Sequence, residues 1–351
     1  MLYYGLVRRA LPFVLAAALM SIAVGSGDAR TPDVQTYAYG AGAQAPNLIL
    51  RAGQAPAGFS GGPVTASDGE TVTVYIADTL LSADPNAGQR WANVLAGLLH
   101  GPELRTITLY VATVDLVREI CGSRALGCYG RNTIVAIGED QPTITAQGVV
   151  THEYGHHIAQ SSDNDPWSAA DWGTKRWASY ENVCKRAQEG ELAPGDEGAL
   201  YQQNPGEAFA EDYRVLNERR EGLAETSWQV VASSLYPDQG ALDQLALDIT
   251  QPWTGVTTTS FTVKMSARAT GRGFRIATPL DGSFSASLTS PAKVRLALRV
   301  VDPASGKVLT ANTTALRVKS ASLTICGERL LQVQIRRLSG AGTFTLAVTK
   351  P

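Results

Sequence analysis

The first two thirds of the chain mix the two-residue hydrophobic repeat of strands with the 3.6-residue repeat of helices. Alternation of apolar and polar positions predicts strands at 71–80, 107–114 and 132–138. Apolar residues at helical spacing predict helices at 85–101, 115–122, 147–160 and 174–189, one that begins at Asn204, and a last one that ends near Asp248. We therefore expect an α+β domain over residues 30–255.

Residues 256–351 carry only the two-residue repeat. Strands are predicted at 260–267, 273–280, 282–290, 293–302, 321–327, 330–338 and 342–350. Turn residues separate them at near-regular intervals, which is typical of a small all-β sandwich of about 95 residues. The Thr/Ser segment 257–260 is interpreted as the linker between the two domains.

The N-terminal 66 residues divide into two segments without a clear core pattern. Residues 30–66 are rich in Gly, Ala and Pro, and we interpret them as an arm that lies on the surface. Before them, the basic pair Arg8–Arg9 precedes the uncharged stretch Ala10–Val24, and small residues follow. This is the pattern of a signal peptide over 1–29, whereas an uncleaved membrane anchor would need about 20 apolar residues. We expect a secreted protein without a stable membrane anchor.

Composition narrows the class of protein further. The chain has 351 residues, of which 44% are hydrophobic and 18% are charged, so it has enough apolar material for a core. Thirty Lys and Arg stand against 32 Asp and Glu, a net charge of −2. Phosphate backbones attract a basic surplus, so the overall balance argues against nucleic acid as a general partner.

Four cysteines suit an exported protein. Cys121 and Cys128 bracket a turn-prone hexapeptide, and a disulfide between them is the first expectation. Cys184 and Cys326 either pair across the two halves of the chain or remain thiols. No C-x-x-C pair occurs, which disfavours a thiolate zinc site.

The candidate chemistry lies in THEYGHH, residues 151–157. His152 and His156 are one helical turn apart, so both imidazoles can reach one metal ion. Glu153 points about 100° away from His152, where it can reach a metal-bound water as a general base. A purely structural histidine cluster is the alternative. Three of the four histidines of the chain fall within these residues, which favours a metal site.

A zinc ion needs a third protein ligand. The H-E-x-x-H-x-x-G-x-x-H class is excluded, because Ala159 and Ser162 occupy the positions of its glycine and third histidine. His100 lies far upstream, and His157 points elsewhere on the helix. A carboxylate from a later helix is the remaining option.

The segment NPGEAFAEDY, residues 204–213, offers that carboxylate. Asn204 is predicted as the N-cap of a helix with Pro at N1. Glu207 and Glu211 lie one turn apart on one face, beside Asp212. One of them can bind the metal while the other orients a histidine, or Glu207 is only a capping residue and Glu211 a surface acid. Periodicity alone does not choose.

Together, His152-Glu153-x-x-His156 and Glu207-x-x-x-Glu211, about 50 residues apart, resemble the gluzincin family of zinc metallopeptidases. The resemblance covers roughly 140–215. It implies a zincin-like fold in which Glu207 is the third zinc ligand and Glu211 supports a ligand. The N-E-x-x-S-D form of thermolysin-like enzymes is absent, so their substrate rules are not carried over.

The C-terminal strands also carry a resemblance. The stretches SASLTSPAKVRLALRVVDPASGKVL and LLQVQIRRLSGAGTFTLAVT are similar in pattern to the bacterial pre-peptidase C-terminal (PPC) domain. That resemblance implies a β-sandwich without catalysis of its own, which follows a secreted metallopeptidase and is sometimes removed during maturation.

These resemblances imply a secreted zinc endopeptidase acting on protein or peptide substrates, with Glu153 as the general base. A hydrogen-bond donor to the tetrahedral oxyanion is also needed. Tyr201 is the first candidate, and Tyr213 and Tyr180 are weaker ones. The strand at 132–138 is expected to line the cleft and to pair with extended substrate.

Two other functions remain open. The first is a catalytically inactive peptidase-like scaffold that acts as an extracellular binding or adhesion protein. The second is a sugar-binding sandwich, which would need exposed aromatic side chains. Residues 261–351 contain four Phe and no Trp or Tyr, so stacking on sugars is weakly supported.

Overall fold

The computed structural model describes residues 55–227 and 232–351. The predicted signal peptide and residues 30–54 of the predicted arm lie outside the described residues. Within the described ranges, every helix is too short or too polar to cross a membrane.

A five-stranded sheet forms the centre of the first part of the chain. Its strands are β1 (Phe59–Thr65), β2 (Thr71–Ala77), β3 (Thr108–Ala112), β4 (Gly127–Gly130) and β5 (Thr133–Ile137). They lie in the order β1-β2-β3-β5-β4, with β2, β3 and β5 parallel and the two outer strands antiparallel to their neighbours. Continuous apolar runs in β2, β3 and β5 are buried, as is usual for parallel strands.

Helices surround this sheet. They are α1 (Asp78–Ala83), α2 (Ala87–Gly97), α3 (Val114–Cys121), α4 (Ala146–Gln160), α5 (Ala169–Trp172), α6 (Lys175–Tyr180), α7 (Val183–Gln188), α8 (Pro205–Glu221) and α9 (Gln239–Thr250). Short 3₁₀ turns occur at Pro102–Thr106, Tyr201–Gln203 and Ser233–Leu235. The two longest helices, α4 and α8, pack on each other, and α4 also lies against β4 and β5.

Three predictions for this part are wrong. Residues 59–65 of the predicted arm form the edge strand β1, which pairs along its whole length with β2. The helix predicted at 174–189 breaks into α6 and α7, because Asn182 takes a left-handed conformation (φ 54°). The strand predicted at 132–138 is present as β5, but it cannot pair with an extended substrate as expected, since it already pairs with β3 on one side and β4 on the other. The edge beside α4 is therefore β4.

The second part of the chain consists of two antiparallel four-stranded sheets. Their strands are β6 (Thr257–Met265), β7 (Gly271–Ala277), β8 (Gly282–Thr289), β9 (Arg295–Val301), β10 (Val308–Asn312), β11 (Val318–Ile325), β12 (Leu330–Ser339) and β13 (Gly342–Lys350). One sheet has the order β10-β9-β12-β7 and the other β11-β8-β13-β6. Their inward side chains form a hydrophobic core separate from that of the first part. The predicted linker 257–260 is instead the start of β6, and β10 was not predicted.

Direct contacts join the two parts. A disulfide links Cys184 of α7 to Cys326, which follows β11. The guanidinium of Arg329 donates hydrogen bonds to the carbonyl of Ser179 and, at 3.0 Å, to the side-chain oxygen of Asn182. The all-β part is thus attached covalently and by hydrogen bonds at the end of α6.

Candidate metal centre

Helix α4 carries His152, Glu153 and His156. Its N-terminus is fixed by Thr145, whose hydroxyl accepts a hydrogen bond from the amide of Gly148 at 2.9 Å. Almost every residue of α4 is buried, including both residues of the pair His152–Glu153. A helix this enclosed holds its side chains in fixed directions, which is what a metal site requires.

Helix α8 carries the two predicted glutamates. As predicted, Asn204 is the N-cap, and its side-chain oxygen accepts a hydrogen bond from the amide of Gly206 at 3.0 Å. Pro205 occupies N1, so Glu207 falls at N3. Glu207 and Glu211 are both buried and both face α4, which excludes the surface-acid alternative for Glu211.

The two helices approach closely at one glycine. A Cβ atom on Gly155 would lie 2.7 Å from the Cα atom of Ala210 and 3.0 Å from its carbonyl oxygen. Only glycine permits backbones to come this near. The close approach brings His152 and Glu207 within contact distance of each other.

Three potential ligand atoms converge at this point. The Oε2 atom of Glu207 lies 3.3 Å from Nε2 of His152 and 3.4 Å from Nε2 of His156. The three residues form a group whose ligand atoms all lie within 4.8 Å of one another. Burial acts to raise the pKa of Glu207, but the two imidazoles outweigh it and hold the pKa below its usual range. Glu207 therefore presents an ionised carboxylate.

Two of the three separations between these atoms agree with a tetrahedral metal ion. Ligands bound at about 2.0–2.1 Å and at the tetrahedral angle lie roughly 3.3–3.4 Å apart. The two measured separations match that value and exceed the usual 2.9–3.0 Å of an N–H···O hydrogen bond. His152 and Glu207 are enclosed, whereas His156 is 16% exposed, so solvent reaches the group at His156.

Glu211 orients His152 from behind. Its Oε2 atom lies 3.0 Å from Nδ1 of His152, so the nitrogen that faces Glu207 is the opposite one of the ring. Arg214 holds Glu211 in turn, donating at 2.6 Å and 3.1 Å to its two oxygens, and also donates to Glu218 at 2.6 Å. An imidazole fixed in this way keeps one tautomer and one ring direction.

Glu153 lies beside this group but is not part of it. It is buried, and its Oε1 atom has no hydrogen-bond partner among the described residues. A Cβ atom on Gly127 of β4 would lie 2.7 Å from this oxygen, so β4 can run beside the carboxylate only because residue 127 is glycine. Burial raises the pKa of Glu153 to about 7, although the imidazoles of His152 and His156 act to lower it.

The predicted oxyanion donors fall in different places. The hydroxyl of Tyr201 donates to Oε2 of Glu207 at 2.7 Å, so this residue reaches the centre. Tyr213 donates to the carbonyl of Leu99, and Tyr180 is exposed and bonded to Asp238. These last two predictions are wrong, because each hydroxyl is engaged elsewhere.

The two remaining histidines also lie outside the group. A ring nitrogen of His157 contacts the hydroxyl of Tyr129 at 3.1 Å, and the other contacts the carbonyl of Glu103 at 3.0 Å. His100 contacts the carbonyl of Gly101. Both therefore have structural partners, in keeping with the sequence analysis.

Sequence reasoning missed Gly155 and Arg214. The position of Gly155 inside the H-E-x-x-H motif was a possible signal, since glycine in a helix interior costs about 1 kcal/mol unless a close contact requires it. Arg214, three residues after Glu211, is at the spacing of a helical ion pair. That spacing is common on helix surfaces and does not by itself indicate burial.

Comparisons with known proteins give only distant likenesses. No protein-family model matches the sequence, and no curated protein matches it. The pre-peptidase C-terminal domain of collagenase from Bacillus anthracis aligns with 26% of this chain and 88% of its own, at 9% identity and a TM-score of 0.23. The Yersinia pseudotuberculosis-derived mitogen aligns with 27% of this chain and 86% of its own, at 10% identity and a TM-score of 0.23.

A metallopeptidase is also among the distant neighbours. IMPa metallopeptidase from Pseudomonas aeruginosa aligns with 80% of this chain, at 10% identity and a TM-score of 0.19. The aligned region spans 46% of that protein. At TM-scores this low, these likenesses decide neither the fold family nor the chemistry of the chain.

Proposed function

We propose that this protein is a secreted zinc endopeptidase of the gluzincin type with a zincin-like fold, acting on protein or peptide substrates. The observation that carries the proposal is the Oε1 atom of Glu153, which has no hydrogen-bond partner among the described residues and is buried beside the group of His152, His156 and Glu207. Burying a carboxylate oxygen without a hydrogen-bond partner costs free energy, and a purely structural metal site has no function that requires such an oxygen. A general base that would take a proton from the attacking water explains it.

The donor set favours zinc as the metal. Two imidazole nitrogens and one carboxylate oxygen are the ligands of a common class of catalytic zinc sites, which keep a fourth position open. In this assignment His152, His156 and Glu207 hold the ion, and Glu211 orients His152. Bound zinc supplies positive charge that acidifies water and polarises a carbonyl group.

The remaining chemistry belongs to the side chains of this protein. Glu153 accepts a proton from the attacking water at its carboxylate and delivers it to the nitrogen of the leaving amine. Tyr201 is positioned beside Glu207, from which its hydroxyl can turn to donate to the developing oxyanion. Among the described residues β4 pairs only with β5, so its other edge offers an extended peptide a strand to pair with, in place of the 132–138 strand expected earlier.

Export is the part of the proposal that concerns location. The disulfides Cys121–Cys128 and Cys184–Cys326 fit an oxidising compartment. Together with the signal-peptide pattern of residues 1–29, they support secretion.

Substitution of Glu153 by Gln tests the mechanism. We expect the exported protein to contain about one zinc per chain, and Glu153→Gln to retain it, because the residue is not a ligand. Cleavage of an unfolded protein such as casein should fall by roughly 10²–10⁴-fold in this variant. Glu119→Gln, which makes the same change at an exposed position of α3, is the control and should cleave as the wild type does.

Two outcomes would contradict the proposal. Wild-type turnover by Glu153→Gln would exclude the mechanism. A zinc-loaded wild type that cleaves no protein or peptide would instead support the inactive scaffold.

A further inference from the structure

The net charge of −2 conceals two opposite surpluses. Residues 256–351 contain fourteen Lys or Arg and three Asp or Glu, a surplus of eleven positive charges. Residues 1–255 contain sixteen Lys or Arg and 29 Asp or Glu, a surplus of thirteen negative charges. A charge asymmetry of this size between two parts of one chain indicates a polyanionic partner for the basic part.

The outer face of the β10-β9-β12-β7 sheet concentrates part of this charge. In its pairing register Gly273 of β7, Gln334 of β12 and Arg299 of β9 lie side by side. The next row contains Gly271 and Arg336. The neighbouring positions on β12 and β9 are buried in the core, so these rows point outward. Arg299 and Arg336 are diagonal neighbours, roughly 7–8 Å apart along the sheet.

These rows form a basin of about 380 Å³. We call it the arginine basin; its lining residues are Thr270, Gly271, Arg272, Gly273, Arg299, Gln332, Gln334, Ile335 and Arg336. Gly271 and Gly273 have no side chains, and the space that side chains would occupy on this face of β7 forms the recess. None of the described residues that line it is an Asp or a Glu.

The arginines of the basin are not used by the fold. Among the described residues, the structure records no ion pair or side-chain hydrogen bond for Arg272, Arg299 or Arg336. By contrast, Arg329 is bonded to Asp281, and the ammonium of Lys319 is bonded to two backbone carbonyls. Arg272 pairs with the buried Ile335 and so lies on the other face of the sheet, which leaves Arg299 and Arg336 on the outward face. Two outward guanidinium groups beside one recess, with no carboxylate among the described residues that line it, form a site that attracts negative charge.

We propose that the arginine basin binds an acidic polysaccharide through its sulfate or carboxylate groups. Guanidinium groups bind such anions in a bidentate manner. The amides of Gln332 and Gln334 both donate and accept hydrogen bonds, which suits sugar hydroxyl groups. This function is independent of the proposed peptidase activity, since the basin lies wholly within the all-β part.

Other polyanions fit the basin less well. Its lining contains no aromatic side chain, so it cannot stack the bases of a single-stranded nucleic acid. It is a recess, whereas a surface that inserts into a membrane presents apolar side chains that protrude. A linear acidic sugar chain needs neither feature.

Binding of heparin to the full-length protein tests the proposal, with uncharged dextran as the negative probe. We expect heparin to bind and dextran not to, and the affinity to fall by roughly tenfold or more between about 50 and 200 mM salt. The double variant Arg299→Glu/Arg336→Glu should lose at least about tenfold in affinity. The control, Lys264→Glu/Lys293→Glu, makes the same charge change at exposed positions outside the basin and should bind within about twofold of wild type.

A variant that keeps the charge separates the basin from diffuse attraction. Gly273→Leu fills the recess, and its Cβ meets only the movable amide of Gln332 at 2.9 Å, so we expect it to fold and to weaken heparin binding. Wild-type affinity in Gly273→Leu, or equal losses in the two double variants, would overturn the proposal. Tighter binding to double-stranded DNA or to phosphatidylserine vesicles than to heparin would overturn it in favour of those partners.

Discussion

At the scale of single residues, the two glutamates of α8 have distinct surroundings. The oxygens of Glu211 face Nδ1 of His152 and the guanidinium of Arg214, and they stand on the far side of the imidazole from the ligand group. Glu207 faces the Nε2 atoms of both histidines. The structure therefore distinguishes the surroundings of the two glutamates, which their spacing in the sequence did not.

Zinc titration of Glu207→Ala and Glu211→Ala measures this difference. Removal of Glu207 leaves two imidazoles, so we expect zinc affinity to fall by more than about 100-fold. Removal of Glu211 leaves all three ligands, and the expected loss is about 10–100-fold. The reverse order of affinities would mean that Glu211 is the ligand and Glu207 a helix cap.

The residues that could be predicted are those whose chemistry depends on local spacing. H-E-x-x-H fixes His152, Glu153 and His156 relative to one another through the helix repeat alone. Arg214 could not be found in this way, because its role depends on burial between helices. The same limit applies to Tyr213. Its side chain is identical to that of Tyr201, but its hydroxyl donates a hydrogen bond to the carbonyl of Leu99 instead of reaching the centre.

At the scale of elements, the contact between α4 and α8 determines the centre. Gly155→Ala adds a methyl group 2.7 Å from a backbone atom of α8, and no side-chain rotation relieves that clash. We expect a cost of about 1–3 kcal/mol in the free energy of unfolding, together with weaker zinc binding as the helices separate.

Gly88→Ala is the matched control for that substitution. Gly88 lies in α2, with no atom within 4 Å of its Cβ position. The same change there should leave the free energy of unfolding unchanged or raise it by up to about 1 kcal/mol, since Gly88 lies in the first turn of α2. Chemical denaturation and zinc titration of both variants provide the comparison, and equal effects would mean that the helix contact is not tight at Gly155.

Element prediction succeeded where a repeat is long and failed where backbone conformation interrupts it. The helices α4 and α8 have clear caps and were predicted closely. Strand β1 was missed because Gly61, Gly62 and Pro63 hide its alternation. Strand β4 has only four residues, too few for a pattern. The break at Asn182 depends on one left-handed residue, which sequence periodicity does not reveal.

At the scale of the whole molecule, the disulfide Cys184–Cys326 joins residues 142 positions apart, whereas Cys121–Cys128 joins residues 7 apart. A longer loop restricts the unfolded chain more. A cut of the chain between α9 and β6 would leave the two parts joined by the disulfide Cys184–Cys326. The all-β part would therefore not be released, in contrast to the removable C-terminal domains that it resembles.

Removal of each disulfide by paired Cys→Ala substitutions tests this difference. Loop-closure entropy gives an expected loss of about 5 kcal/mol for Cys184/Cys326 and about half as much for Cys121/Cys128. Denaturant unfolding under non-reducing conditions measures both. A larger loss from the short loop would show that native contacts around β4, rather than the unfolded chain, control the result.

The division of charge follows from the sequence once the chain is divided between residues 255 and 256, the boundary that its hydrophobic pattern predicts. Because the disulfide and Arg329 hold the basic part against α6 and α7, the described residues of the two parts keep their opposite charges apart in the manner of an electric dipole. A dipole that approaches a negative surface turns in the field before it makes contact, with its positive end foremost. On a polyanionic matrix, this protein would settle with the basic part against the matrix and the acidic part, which contains His156, directed toward the surrounding solution.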